Sequence, residues 1–120
     1  MKKLGNTEWK KLGDITEIIM GQSPPSNTYN DKLEGLPFFQ GKSEFGARYP
    51  EVRKYCSNPV RIAEAKDILM SVRAPVGSLN IADRKSCIGR GLCAIRPSDK
   101  IDYLFLFHFL RSIENEISAK

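Results

Sequence analysis

The sequence is poor in the residues from which catalytic and metal sites are built. In 120 residues it has one histidine, His108, and three cysteines, Cys56, Cys87 and Cys93. No CxxC pair occurs, so a zinc site would need all four residues to converge from distant points. Three cysteines cannot pair completely. Cys87 and Cys93 lie in apolar, strand-like runs and read as small reduced core residues. The one Cys–His dyad on offer, Cys87 with His108, would join two different elements. His108 stands between Phe107 and Phe109, where a partly buried structural histidine is the better reading. There is no GxGxxG and no Walker loop, which leaves a glycine cradle for nucleotides without support. No apolar run reaches about eighteen residues, so no membrane span is expected. The amino-terminal MKKLGNTEWKK has neither an apolar core nor a small-residue cleavage site, so it is not a secretory signal and the expected compartment is the cytoplasm. No cofactor and no metal is expected.

What remains is the composition of one small globular domain, 41% apolar and 28% charged. The formal charge of +5 is unevenly placed. Residues 1–39 and 91–120 are each balanced, whereas residues 40–90 hold ten basic and five acidic groups. A basic region inside a folded segment can form an electrostatic footprint for phosphates. The alternative is a set of solvated surface charges offset by Glu44, Glu51, Glu64, Asp67 and Asp83.

The stretch from Asp67 to Pro97 is the most informative. Its apolar runs, 68–70, 79–82 and 92–95, are separated by turn residues and threaded with Arg73, Arg84, Arg90 and Arg96. The pattern predicts a strand over 67–72, a turn over 73–77, and a second strand over 78–82, antiparallel to the first if the connection is a hairpin. A turn at 83–85 follows, then strands over 86–88 and 92–95. Gly77, Gly89 and Gly91 are expected to supply positive φ at the turns. Upstream, Trp9, Leu12 and Ile15 begin an apolar pattern. Gly13-Asp14 breaks it and could cap a helical turn through Ile18. Residues 18–20 read as a short strand or buried edge. Residues 21–30 read as a loop, 36–40 as a short buried strand, and 60–65 as a short strand or helical turn. A helix is predicted over 101–117, capped by Ser98 or Asp99. Its first half is apolar on nearly every face, so it must be covered on more than one side.

Arg73 and Arg90 each sit beside a glycine turn, a poor place for a core residue. One reading puts them at the mouth of a groove, donating to phosphates or a guanine edge; the other pairs them with Asp67 or Asp83. Lys42, Arg48, Arg73, Arg84 and Arg90 are candidate phosphate or base contacts by charge, by loop position and by the resemblance described below. Gln22, Ser23 and Gln40 are candidate polar readers, since amides and hydroxyls can pair with base edges. The segment 41–56 interleaves Phe45, Tyr49 and Tyr55 with Lys42, Arg48, Arg53 and Lys54. That suits nucleic acid, and it equally suits an irregular segment pinned by its rings.

The ordered set of motifs resembles the target recognition domain of type I restriction–modification specificity subunits. It comprises Trp9 with Leu12-Gly13-Asp14-Ile15, then Gly21-Gln22-Ser23-Pro24, then Leu36-Pro37-Phe38-Phe39-Gln40-Gly41. Lys66 to Gly77 (KDILMSVRAPVG), Cys87 to Leu92 (CIGRGL) and Tyr103-Leu104 complete it. Each motif alone is weak; the ordered run from Trp9 to Leu110 is specific. The resemblance implies an α/β fold of the α+β type: small twisted, mostly antiparallel sheets, short flanking helices and a C-terminal helix. It implies a non-catalytic module that recognises double-stranded DNA in a basic cleft. Its partners would be a methyltransferase (modification) subunit and, for cleavage, a restriction subunit. A full domain of that family continues beyond the closing helix, so the expectation for residues 1–120 is a single, truncated recognition domain. Two other readings stand beside it. One is a general β domain binding RNA or single strands through Tyr49 and Tyr55. The other is a fragment that self-associates through the 101–117 helix without binding DNA.

Overall fold

The computed structural model describes residues 13–74 and 76–114. The described residues form two sheets, with helical residues at 13–15 and an α-helix after the last strand. The first sheet has four strands in the order β1 (Thr16–Met20), β9 (Leu92–Pro97), β6 (Ile68–Ser71), β7 (Leu79–Ile81), all antiparallel. The second has five short strands in the order β2 (Tyr29–Asn30), β4 (Tyr55–Cys56), β3 (Leu36–Phe39), β8 (Ser86–Ile88), β5 (Ile62–Ala63). Its pairs are antiparallel except β3 with β8, which run parallel. Helix α1 (Tyr103–Ser112) closes the described fold.

Strand periodicity explains the layering. Successive side chains of a strand point to opposite faces. Ile68, Cys93 and Ile95 therefore pack with Leu106, Phe107, Leu110 and Ile113 of the helical side. Their neighbours Leu69, Leu92 and Ala94 pack the other way, against Phe39, Ala63 and Ile88 of the second sheet. Both faces of β6 and β9 are thus covered, which is why these strands read as continuous apolar runs. A smaller cluster joins Phe38, Cys56 and Cys87.

The strands predicted over 67–72, 78–82, 86–88 and 92–95 all form, and the first two are an antiparallel hairpin. The last two do not share a sheet: β8 belongs to the second and β9 to the first, so Gly89-Arg90-Gly91 is a crossover between layers. Its glycines do not have the expected positive φ. Gly77 does, at 100°, as does Gly35 at 87°. Gly91 is needed for closeness instead, because a Cβ there would lie 2.5 Å from the Gln40 carbonyl oxygen. At Gly89 a Cβ would meet Ser23 Oγ at 3.1 Å and the Phe38 ring at 3.2 Å.

Three further expectations need correction. The helix is shorter than 101–117, and Asp102 caps it: Oδ2 accepts from Leu104 N and Phe105 N, both at 3.0 Å. Asp102 takes the cap from Ser98 and Asp99 because Pro97 to Ile101 first complete a turn, with Ile101 N donating to Ser98 O at 3.3 Å. Residues 115–117 of the prediction lie outside the described residues, as do Trp9 and Leu12. Near the start, residues 13–15 are helical but the strand begins at Thr16, so no helix runs to Ile18. His108 is exposed rather than partly buried, its ring centroid 5.4 Å from that of Phe107 in an edge-on arrangement. It lies on the helix, while Cys87 is buried in the second sheet, so the two form no dyad.

One arginine of the 67–97 stretch is structural. Arg96 grips Asp67, which is 2% exposed, through Nε at 3.0 Å to Oδ1 and Nη2 at 2.9 Å to Oδ2. The same carboxylate accepts from Glu64 N at 2.9 Å, so it ties the end of β9 to the β5–β6 turn. These bonds to Asp67 hold the Arg96 guanidinium above its ordinary pKa.

Candidate nucleic-acid interface

Because β3 and β8 run parallel side by side, their carboxyl ends emerge at the same edge of the fold. The next residues, Gln40 and Gly89-Arg90, are laced together there. Gly89 N donates to Phe39 O at 2.9 Å, and Gly91 N to Gln40 O at 3.0 Å. Residues 21–23 cross the same point: Gly21 N donates to Leu92 O at 2.9 Å and Gln22 N to Ile88 O at 3.1 Å. Arg90 N donates to Ser23 Oγ at 3.3 Å. The turn carrying Arg73 is attached to the same crossover, since Val72 N donates to Gly91 O at 3.0 Å. Ser71 Oγ, donating to Arg73 O at 3.0 Å, shapes that turn.

A groove of about 350 Å³ opens at this crossing, lined by residues 40–44, Lys54, Ser71, Arg73, Ala74 and Gly91. Six of the eight candidates are therefore brought together: Gln40, Lys42 and Arg73 line the groove, and Gln22, Ser23 and Arg90 stand at its glycine rim. Two are placed elsewhere. Arg48 is held by its carbonyl, which accepts from Ile81 N at 2.7 Å, on the free edge of β7. Arg84 precedes β8, at the opposite end of that strand from Gly89, and pairs with Asp83 at 3.2 Å. That hydrogen bond raises its pKa further.

Pairing of Arg73 or Arg90 with Asp67 or Asp83 is not what occurs, because those carboxylates are engaged by Arg96 and Arg84. Among the described residues no ion pair joins Lys42, Lys54, Arg73 or Arg90 to a carboxylate. Four cations with side-chain amides around one groove suit an anionic, hydrogen-bonding ligand. Lys54 was not among the candidates. Its Nζ lies 5.3 Å from the Tyr29 ring centroid and 5.6 Å from that of Phe38, which holds the cation at the groove wall.

Glu44, which the sequence offers only as one of the acidic groups that could offset the basic ones, also belongs to the site. It is 5% exposed, and Oε1 accepts from both Gln40 N and Gly41 N at 3.0 Å. The signal was its spacing, three residues after Gly41, as in a capping box. Asn80, buried in β7, holds the same segment from behind: Oδ1 accepts from Gly46 N at 3.0 Å and Nδ2 donates to Gly46 O at 3.1 Å.

The remaining polar groups carry less. Burial pushes the Cys87 and Cys93 thiols up to about 11, so neither is a thiolate at neutral pH. Among the described residues no group of three or more His, Cys, Asp or Glu could hold a metal ion. Among the same residues no helix is long and apolar enough to cross a membrane. A second hollow of about 350 Å³ near the start of α1 mixes Lys66 and Arg96 with Glu64, Asp99 and Asp102. Its acidic groups outnumber its basic ones, whereas in the groove Lys42, Lys54 and Arg73 stand against one buried carboxylate, Glu44.

Comparison with known proteins bears on the family and the fold. The sequence matches the family of type I restriction modification DNA specificity domains over residues 6–120. It is 49% identical, over 116 residues, to a putative type I restriction enzyme MjaX specificity subunit of Methanocaldococcus jannaschii, covering 96% of this chain and 26% of that one. Among solved structures, the HsdS subunit of Thermoanaerobacter tengcongensis superposes with a TM-score of 0.87 at 53% identity, over 90% of this chain and 28% of that one. A chain from a structure concerned with complex assembly and conformational transition of the type I R-M system gives 0.87 at 53%, over 89% and 27%. The chain spans about a quarter of the length of these relatives. It belongs to the type I restriction modification DNA specificity domain family, as a target recognition domain with that family's α+β fold. The family is named for specificity, and not for catalysis.

Proposed function

We propose that this member of the specificity family reads the sequence of double-stranded DNA through the groove at the 89–91 crossover. The reading confers target choice on a type I restriction–modification complex in the cytoplasm. Lys42, Lys54, Arg73 and Arg90 meet phosphates or guanine edges; Gln22, Ser23 and Gln40 reach base edges. The observation that carries the proposal is the convergence of cations without carboxylate partners among the described residues, and of polar side chains, on one glycine crossing. Arg48 and Arg84 lie outside that cluster and contribute, at most, to the longer-range field. The chain supplies recognition without catalysis. Methylation belongs to a partner modification subunit and cleavage to a restriction subunit. Residues 1–120 act as part of one recognition domain.

Fluorescence anisotropy with a randomised duplex, titrated over salt, tests this. Each phosphate neutralised contributes about −0.9 to the slope of log K against log salt. A slope of about −3 or steeper fits the four groove cations. Absence of binding at low salt refutes the proposal. The single-strand reading puts its contacts on Tyr49 and Tyr55, which do not line this groove, and competition between duplex and single-stranded oligonucleotides separates the two.

A second reading has one observation in its favour. Phe105 is 63% exposed on α1, stacked on Phe109 with ring centroids 6.4 Å apart. Such a face suits self-association through the closing helix, and light scattering across concentration tests it.

A further inference from the structure

We propose that Glu44 is a positioning residue for sequence readout. Its buried carboxylate sets the segment that presents Gln40 and Lys42, and takes no contact with DNA itself. The inference rests on the DNA-reading function proposed above.

A carboxylate on the wall of a groove built for an anion works against binding by its charge, and its burial is costly unless it is well bonded. The bonds it makes explain its presence. β3 ends at Phe39, so the amides of Gln40 and Gly41 leave the sheet ladder as donors in need of acceptors. Glu44 Oε1 takes both at 3.0 Å, and Oε2 accepts from Ser43 Oγ at 3.0 Å. Bonds to an ionised acceptor are the stronger kind. The far side of the turn is fastened too: Phe45 N donates to Lys42 O at 2.9 Å and Glu51 N to Glu44 O at 2.8 Å. Asn80 grips Gly46 by both its amide atoms. The segment is therefore set before any ligand arrives.

Preset geometry matters unequally to its two products. A lysine meets a phosphate as a point charge on a flexible stem and tolerates small shifts. An amide reading a base edge needs paired hydrogen bonds in register, and loses discrimination when displaced. Loss of Glu44 should therefore damage sequence preference while sparing the salt dependence of binding.

The experiment begins with the wild-type full chain and a duplex pool with a randomised centre. The enriched duplex and its scrambled version are then titrated against wild type, E44A, Q40A and the double variant at several salt concentrations. E44A removes the oxygen that both amides use. The expected result is a fall in the enriched-to-scrambled affinity ratio of roughly tenfold in E44A. The salt slope stays at the wild-type value, and the double variant does no worse than Q40A alone. A merely structural role lowers the folded fraction for both duplexes equally and leaves the ratio untouched. An unchanged ratio in E44A, or additive losses in the double variant, overturns the inference while the DNA reading stands. Failure of the wild type to enrich any duplex or to show salt-dependent binding overturns both. If E44A does not fold, E44D, which withdraws the carboxylate by one methylene, replaces it under the same criteria.

Discussion

Gly91→Ala should cost this protein both stability and binding, and Gly41→Ala, a few ångströms away, should leave its stability nearly unchanged. The added methyl at position 91 would lie 2.5 Å from Gln40 O and 3.1 Å from Gly41 Cα, both backbone atoms. No rotamer change relieves that clash, so the 40–41 segment and the crossover must separate. Overpacking of this kind costs about 1–3 kcal/mol. Separation also weakens the 3.0 Å bond from Gly91 N to Gln40 O, worth about 1 kcal/mol. The sum is about 2–4 kcal/mol. At roughly 4 °C per kcal/mol for a chain of this size, Tm should drop by about 8–16 °C. At Gly41 nothing lies within 4 Å of an added Cβ, and φ is −170°, extended backbone open to any residue. G41A should therefore stay within about 0.5 kcal/mol of wild type. Thermal melts by circular dichroism compare the two, with duplex anisotropy alongside. If the 40–41 segment yields easily, the Tm loss shrinks but Gln40 moves, and duplex binding falls instead. A G91A chain with both wild-type Tm and wild-type binding refutes the crossover geometry.

Three further predictions concern the charges and thiols. R73A should weaken duplex binding and make the salt slope shallower by about one phosphate contact, whereas R84A, exposed, paired with Asp83 and at the far end of β8, should change the slope little; equal effects would place the interface elsewhere. R96A strands the Asp67 carboxylate at 2% exposure and should cost about 3 kcal/mol in urea unfolding; a loss under about 1 kcal/mol would mean that the pair is not structural. Cys87 and Cys93 have folded pKa values raised by burial from 9.0 to about 11. The unfolded chain therefore loses its thiol protons first, so their contribution is complete below about pH 9 and declines as pH rises towards 11. C93A should flatten that alkaline decline, and an identical pH profile in the variant would contradict the assignment.

Much of the fold was legible because the signals were local. Alternation and turn chemistry located β6, β7, β8 and β9 to within a residue or two at each end. Partnership was not legible. The 86–88 and 92–95 strands look like neighbours across a glycine turn, yet they lie in different layers. Which strand pairs with which is settled by contacts far apart in sequence, such as Phe38 with Cys87. The same limit governs the arginines. Arg73 and Arg96 look alike in the sequence, but only Arg96 comes to face Asp67, 29 positions away. Glu44 shows its role only once the end of β3 leaves two amides in need of an acceptor.

Composition, periodicity and motif order by themselves pointed to an α+β target recognition domain of this family with a basic middle. These properties follow from residue identity and short-range spacing. Among the described residues, the tertiary structure alone decided which cations lack a carboxylate partner, which glycines serve closeness rather than turn conformation, and which carboxylate holds the 40–41 segment. Those properties depend on which distant backbone and side-chain atoms come within hydrogen-bonding distance, and short-range spacing does not specify that.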